Sequence, residues 1–180
     1  MKKFYAGIGA RKTPKEILEF QTRIATQLEK DGWLLSSGDA EGADQAFADG
    51  LSTIEPNRII LPWSGFNNKY WQGGYIDYSH ADYEIKQQCE ALASTVHPYW
   101  DGLTQGVRTL QSRNMMQILG PKLDTPVKFV LYWAPEDKHG VAKGGTRSAV
   151  LLAKRLGIPT FNMLHDDVIQ RLERKYNERI

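Results

Sequence analysis

Val127-Lys128-Phe129-Val130-Leu131-Tyr132-Trp133, a polar loop, then Lys143-Gly144-Gly145-Thr146 and the helical run Ser148 to Leu156 form the stretch that sets the fold. An apolar run of strand length passes through a glycine turn into a helix, which is the layout of a phosphate-binding strand–helix unit. Gly144 and Gly145 let the main chain turn tightly and approach a ligand with no Cβ in the way. Thr146 is placed to cap the helix or to offer its hydroxyl to an anion. The N–H groups of the first helical turn, at the positive end of the helix dipole, would face a phosphate seated there. A lone Gly-Gly-Thr is also an ordinary tight loop with a cap, so the reading gains weight from the other glycine loops of the chain.

Two such loops lie near the N-terminus. Phe4 to Ile8 is a short apolar run entering Gly7-Ile8-Gly9-Ala10-Arg11, and Thr13-Pro14-Lys15-Glu16 then carries a helix-start signal, with Thr13 as N-cap and Pro14 at the first helical position. Ile17, Leu18, Phe20, Ile24, Ala25 and Leu28 recur at helical spacing, and Gly32 ends the run. Trp33 to Ser37 predicts the next strand, Gly38-Asp39-Ala40-Glu41-Gly42-Ala43-Asp44 the next glycine loop, and Ala43 to Leu51 a helix. Arg58 to Leu61 and Ile158 to Asn162 complete a set of about five strands. Strands joined by helices and hydrophobic through their length predict an α/β fold, a mostly parallel sheet with helices on both faces. Ligands of such sheets bind at the carboxyl ends of the strands, where all three glycine loops lie.

Between the third strand and the next helix the alternation breaks. Pro62 to Tyr75 is rich in aromatic, glycine and amide residues, and a loop of that length reads as a functional insertion near residues 62–80 of a single domain spanning 1–180. Trp63, Phe66 and Trp71 are its candidate lid residues, placed either to stack on a base or to pack over the sheet. Helices follow over about His80 to Ser94 and Leu103 to Leu119, the latter containing Arg113-Asn114, and His165 to Tyr176 closes the chain as an amphipathic helix. Asn114 in mid-helix is a weak helix former and asks for a reason.

Composition narrows the function classes. The chain has 180 residues, 41% hydrophobic and 24% charged, with a formal net charge of +2, so a nucleic-acid role must rest on where the charges lie. The single cysteine, Cys89, permits no internal disulfide and fits a cytoplasmic setting, and no apolar stretch is long enough to span a membrane. His80, His97, His139 and His165 have no metal-ligand spacing, no nucleophile elbow is present, and the Gly7 to Lys12 loop lacks Walker A spacing, so no metal or other cofactor is expected. Exposed apolar faces on the last helices suit a homodimer.

Gly7-x-Gly9-x-Arg11, Ser37-Gly38-x-Ala40-x-Gly42-Ala43-Asp44, Arg113-Asn114 and Gly144-Gly145-Thr146 before the alanine-rich helix occur in an order that resembles the Rossmann-like part of the DprA (Smf) DNA-processing family. More broadly the chain resembles the SLOG superfamily of nucleotide-binding proteins, with its LOG-type nucleoside-monophosphate hydrolases and YpsA-like members. The resemblance implies a doubly wound sheet and a ligand site built from these motifs. Arg11 would grip a phosphate in two places. Gly9, Ser37, Gly38 and Gly42 would supply main-chain and hydroxyl contacts, and Asp44 would cap its helix or hold a ribose hydroxyl. Arg113 and Asn114 would meet the ligand from the side, with Gly144, Gly145, Thr146 and Arg147 completing an anion cradle. LOG-type enzymes carry an acidic residue shortly after their Gly-Thr; here Arg147, Ser148, Ala149 and Val150 follow Thr146, leaving Asp39, Glu41 or Asp44 as substitutes. Three functions are therefore expected, in this order: binding of a nucleotide or nucleotide-derived phosphate ligand as a sensor or carrier, DprA-like binding of single-stranded DNA, and N-glycosidic hydrolysis of a nucleoside 5'-monophosphate.

Overall fold

In a computed structural model that describes residues 1–180, the alternation of Lys3–Gly9 (β1) decides how the layers form. Phe4, Ala6 and Ile8 point to one face of the sheet and Tyr5 to the other, because successive strand residues alternate. Around β1 the sheet contains Trp33–Ser37 (β2), Arg58–Leu61 (β3), Ile76–Asp77 (β4), Val130–Trp133 (β5) and Thr160–Asn162 (β6), all parallel, in the order β4-β3-β2-β1-β5-β6. Six strands replace the expected five. The additional one, β4, comes from within the aromatic insertion, where two residues pair with Ile60 and Leu61 at the sheet edge. A two-residue strand has no periodicity to read in sequence, which is why it was not foreseen.

Helices cover both faces. Lys15–Lys30 (α1), Ala43–Asp49 (α2) and Asp166–Tyr176 (α6) bury Phe20, Ile24, Phe47 and Ile169 against Tyr5, Leu35, Ile59 and Leu131. Tyr83–Val96 (α3), Gln105–Leu119 (α4) and Arg147–Arg155 (α5) bury Cys89, Met115, Met116 and Val150 against Ala6, Ile8, Ile60 and Tyr132. Each fully buried Leu, Ile or Phe contributes roughly 1.5–3 kcal/mol, so the two cores, one per face, hold the sheet flat enough to present its strand ends as a platform.

Local signals were mostly realised, with one correction of mechanism. Thr13 does not cap α1: Pro14 occupies the cap position, the helix starts at Lys15, and the Thr13 hydroxyl donates to the Ala10 carbonyl at 2.7 Å. Thr13 thus closes the Arg11 turn on itself. Thr104 does cap α4, its hydroxyl accepting from the Val107 N–H at 3.4 Å. The chain order reverses between β1 and β5, whose pairing ends at Gly9 and Trp133. That switch point is where a doubly wound sheet opens a crevice. No helix is long and apolar enough to cross a membrane.

Candidate functional site

At the switch point lies a cleft of about 320 Å³, floored by Ile8, Gly9 and Ala10 and walled by Arg11-Lys12 on one side and Lys143 to Thr146 on the other. Helix α4 closes its end with Gln111, Arg113, Asn114 and Gln117. The cationic side chains are Arg11, Lys12, Lys143 and Arg113, against one carboxylate, Asp44. Arg11, Lys12 and Lys143 are exposed and make no ion pair with any acidic side chain. A cleft with unpaired cations on its rim attracts an anion.

Close packing between glycine loops makes the shape. Gly42 has φ +90°, and a Cβ there would stand 2.7 Å from the Ala10 carbonyl and 2.8 Å from Arg11 Cα, so only glycine lets the two loops touch. Asp44 then fastens them: its Oδ1 accepts from the Gly9 N–H at 3.1 Å and its Oδ2 from the Ala40 N–H at 3.4 Å. Its place in the first turn of α2 is favourable for a carboxylate, yet burial raises its pKa from the usual range to about 6, against the lowering influence of Arg113 and of main-chain N–H groups.

The Lys143 to Thr146 turn is built differently. Gly144 to Thr146 form one 3-10 turn leading into α5, and Thr146 makes no cap hydrogen bond. Gly144 has φ +73°, with no atom near the place a Cβ would take. Gly145 needs no special backbone conformation, and a Cβ there would meet only the Gln111 Nε2, at 4.0 Å. Asn114 Nδ2 donates to the Gly145 carbonyl at 3.0 Å and so holds the turn from its acceptor side. None of the loop and cap hydrogen bonds uses the N–H of Gly144 or Gly145, and these two donors remain for a ligand.

Arg113 reaches inward. It is 3% exposed, and its Nη1 donates to the carbonyls of Gly38 at 2.7 Å and Ile60 at 2.6 Å, while its Nε donates to Asn114 Oδ1 at 3.1 Å. Burial lowers its pKa to about 10, with Asp44 and Asp39 opposing the shift. Its main task is to join α4 to the ends of β2 and β3. Ser37 likewise turns inward, its hydroxyl donating to the Gly7 carbonyl at 2.6 Å. Gly38 has no room for a side chain, because a Cβ would stand 2.1 Å from Gln117 Nε2.

Of the residues singled out in sequence, Gly9, Arg11, Asp44, Arg113, Asn114, Gly144, Gly145 and Thr146 line the cleft, whereas Ser37, Gly38 and Gly42 shape it from behind. Arg147 lies outside the lining, 3.9 Å from Asp137. Among the substitute carboxylates, Glu41 is exposed outside the cleft. Asp39 is buried, and its Oδ1 is paired with Lys69 at 2.8 Å. Trp63, Phe66 and Trp71 are not in the cleft wall. Phe66 is buried, 5.8 Å below the Arg113 guanidinium and edge-on to Trp63, while Trp63, Tyr70 and Trp71 are exposed. Their loop is moored to the strand-two turn, since Asn67 Nδ2 donates to the Asp39 carbonyl at 2.6 Å and Lys69 pairs with the Asp39 carboxylate. The exposed aromatics therefore share a loop tied to Asp39, the residue before Ala40 of the cleft lining. Lys12 and Lys143, which flank the glycine motifs and belong to the positive groove that single-strand binding calls for, line the cleft, whereas Gln111 and Gln117 were not expected from sequence and carry no sequence signal.

A second cavity of about 230 Å³, lined by Leu28, Phe129, Phe161, Leu172 and Tyr176 among others, sits under α6 and away from the glycine loops. Seven of its nine lining residues are hydrophobic, and its two cations, Arg171 and Lys175, have no glycine loop beside them.

Among solved structures, the chain is similar to DNA processing protein A from Helicobacter pylori, in a structure described as showing that protein's unique single-stranded DNA binding mode. The TM-score is 0.59 at 20% identity, over 99% of this chain and 74% of that one. The fold is DprA-like. No protein-family model matches the chain, and no curated protein matches its sequence. The DprA-like part accounts for the whole sheet, the cleft at its switch point and the helices on both faces, since the match leaves almost none of this chain uncovered.

Proposed function

We propose that the cleft binds the sugar-phosphate backbone of single-stranded DNA, with the exposed aromatics of the 62–75 loop stacking on neighbouring bases. The observation that carries this reading is the division of the surface into two adjoining parts. Unpaired Arg11, Lys12 and Lys143 and the free N–H groups of Gly144 and Gly145 suit a phosphate. Trp63, Tyr70 and Trp71 lie outside the cleft, exposed, on a loop tied to its edge through Asp39. A single nucleotide in the cleft leaves these aromatics unused, whereas a strand several nucleotides long engages both parts, in the manner of stacking platforms beside a basic groove. The single-stranded DNA binding of the DprA structural neighbour points the same way.

Binding of a free nucleotide is the second reading, supported by the cleft volume of about 320 Å³, which lies at the small end of ligand sites. Hydrolysis has weaker support, because both oxygens of Asp44, the carboxylate in the cleft, already accept main-chain N–H groups.

Oligothymidylates of increasing length, with mononucleotides as competitors, separate the two binding readings. Affinity that rises with length up to about 4–16 nucleotides and falls on Trp71→Ala supports DNA. Affinity that is complete for a mononucleotide and indifferent to Trp71→Ala supports the free nucleotide.

A further inference from the structure

Two glutamines of the cleft, Gln111 and Gln117, belong neither to the glycine motifs nor to the cations, and Gln111 is the one beside Gly145. Gln111 lies on α4 with 6% of its surface exposed, and its amide is oriented by a buried neighbour: the Ser148 hydroxyl, in the first turn of α5, donates to Gln111 Oε1. With the oxygen engaged by Ser148, the amide nitrogen takes the other position. Gln111 Nε2 makes no hydrogen bond within the chain, and Gln111 lines the cleft. It is also the atom nearest the open side of Gly145, 4.0 Å from where a Cβ there would stand. Asn114 approaches the same turn but is already occupied, its nitrogen on the Gly145 carbonyl and its oxygen on Arg113. Two amides thus divide the work at one turn, Asn114 holding its acceptor side and Gln111 facing its donor side.

We infer that Gln111, oriented by Ser148, is a direct hydrogen-bond donor to the phosphate seated on the Gly144-Gly145-Thr146 turn. This assignment rests on the phosphate-binding reading of the cleft. Gln111 is a neutral donor, so it contributes geometry without changing the number of counterions released. It reads no base, because a phosphate oxygen is the same in every nucleotide.

Those two properties give the test a signature that loss of packing does not share. Affinity for fluorescent oligonucleotides of about ten residues, within the usual site size of about 4–16, is measured for the wild type, Gln111→Met, Gln111→Glu, Ser148→Ala and Lys143→Ala across a salt series. Gln111→Met, which preserves length and loses the donor, weakens binding about tenfold, the effect of one hydrogen bond to a charged group. It leaves the salt slope unchanged and acts equally on thymidine and cytidine oligomers. Lys143→Ala instead reduces the slope by about 0.7. Gln111→Glu keeps the partner of Ser148 but sets a carboxylate against the phosphate, and weakens binding more than the methionine variant. Ser148→Ala frees the amide to rotate and gives a smaller loss than Gln111→Met, so the assignment stays testable if the methionine variant does not fold. Wild-type affinity in both Gln111→Met and Ser148→Ala overturns the assignment while the DNA reading stands. A loss that depends on the base overturns it in favour of base contact. No binding by the wild type removes the DNA reading itself.

Discussion

Gly145→Ala should move stability and binding in opposite directions. Gly145 sits in a 3-10 turn without positive φ, and the added methyl meets nothing closer than Gln111 Nε2 at 4.0 Å. Replacing such a glycine by alanine restricts the unfolded chain and stabilises the fold by about 0.4–1 kcal/mol. For a domain of this size that is a rise in melting temperature of roughly 1–4 °C. The same methyl stands on the open side of the turn, in the cleft, where a phosphate oxygen would have to come within about 3 Å of the main-chain N–H. A ligand displaced from those donors loses at least one charge-assisted hydrogen bond, about 1.5–3 kcal/mol, or about ten- to a hundredfold in affinity. Differential scanning fluorimetry gives the first quantity and fluorescence anisotropy with a labelled oligonucleotide the second. Unchanged affinity in a variant that melts at or above the wild-type temperature would refute the placement of the anion at this turn. A markedly lower melting temperature would refute the description of the turn as sterically free.

Other perturbations probe the supports of the cleft. Gly42→Ala places a Cβ at 2.7–2.8 Å from main-chain atoms of Ala10 and Arg11 at φ +90°; it should destabilise by about 1–3 kcal/mol and weaken binding by displacing Arg11, as chemical denaturation and anisotropy would show. Arg113→Met removes the donor shared by the Gly38 and Ile60 carbonyls and should lower unfolding free energy by about 3 kcal/mol or more, a loss that Arg113→Lys should not fully restore. Burial raises the folded pKa of Asp44 to about 6, from the ordinary value of 3.8. Its contribution to stability is therefore full below the unfolded pKa and is lost as pH rises through about 6, a change of about 3 kcal/mol at ~1.36 kcal/mol per unit. Denaturation at about pH 5 and about pH 7.5, compared between the wild type and Asp44→Asn, should show about 1.4 kcal/mol of this change in the wild type alone. DNA affinity should fall over the same interval, as deprotonation of Asp44 puts a negative charge in the cleft.

What could be read in advance follows the range of each signal. Strand–helix alternation and the three glycine loops are local patterns, so the parallel sheet, its two covered faces and the general position of the site were legible. The roles of polar residues were less so. Ser37 and Arg113 stand in motifs that resemble ligand contacts, yet both donate to main-chain carbonyls brought near by the fold, over separations of 30, 53 and 75 residues. Gln111 is the converse, a helix residue with no motif whose placement depends on Ser148, 37 residues away. The aromatic loop is legible as an insertion, but its mooring through Asn67 and Lys69 to Asp39 depends on tertiary contact that no local pattern reveals.

The most direct measurement is a salt titration of binding between the wild-type protein and a fluorescent oligothymidylate of about ten nucleotides, a length within the range of single-strand sites, repeated with Arg11→Ala combined with Lys143→Ala. Single-stranded DNA held at the cleft predicts measurable binding at about 50 mM salt and a log–log slope of about −0.7 for each phosphate engaged, with a shallower slope and weaker binding in the double variant. Absence of binding at low salt, or binding whose strength and slope are unchanged by the double variant, would contradict it.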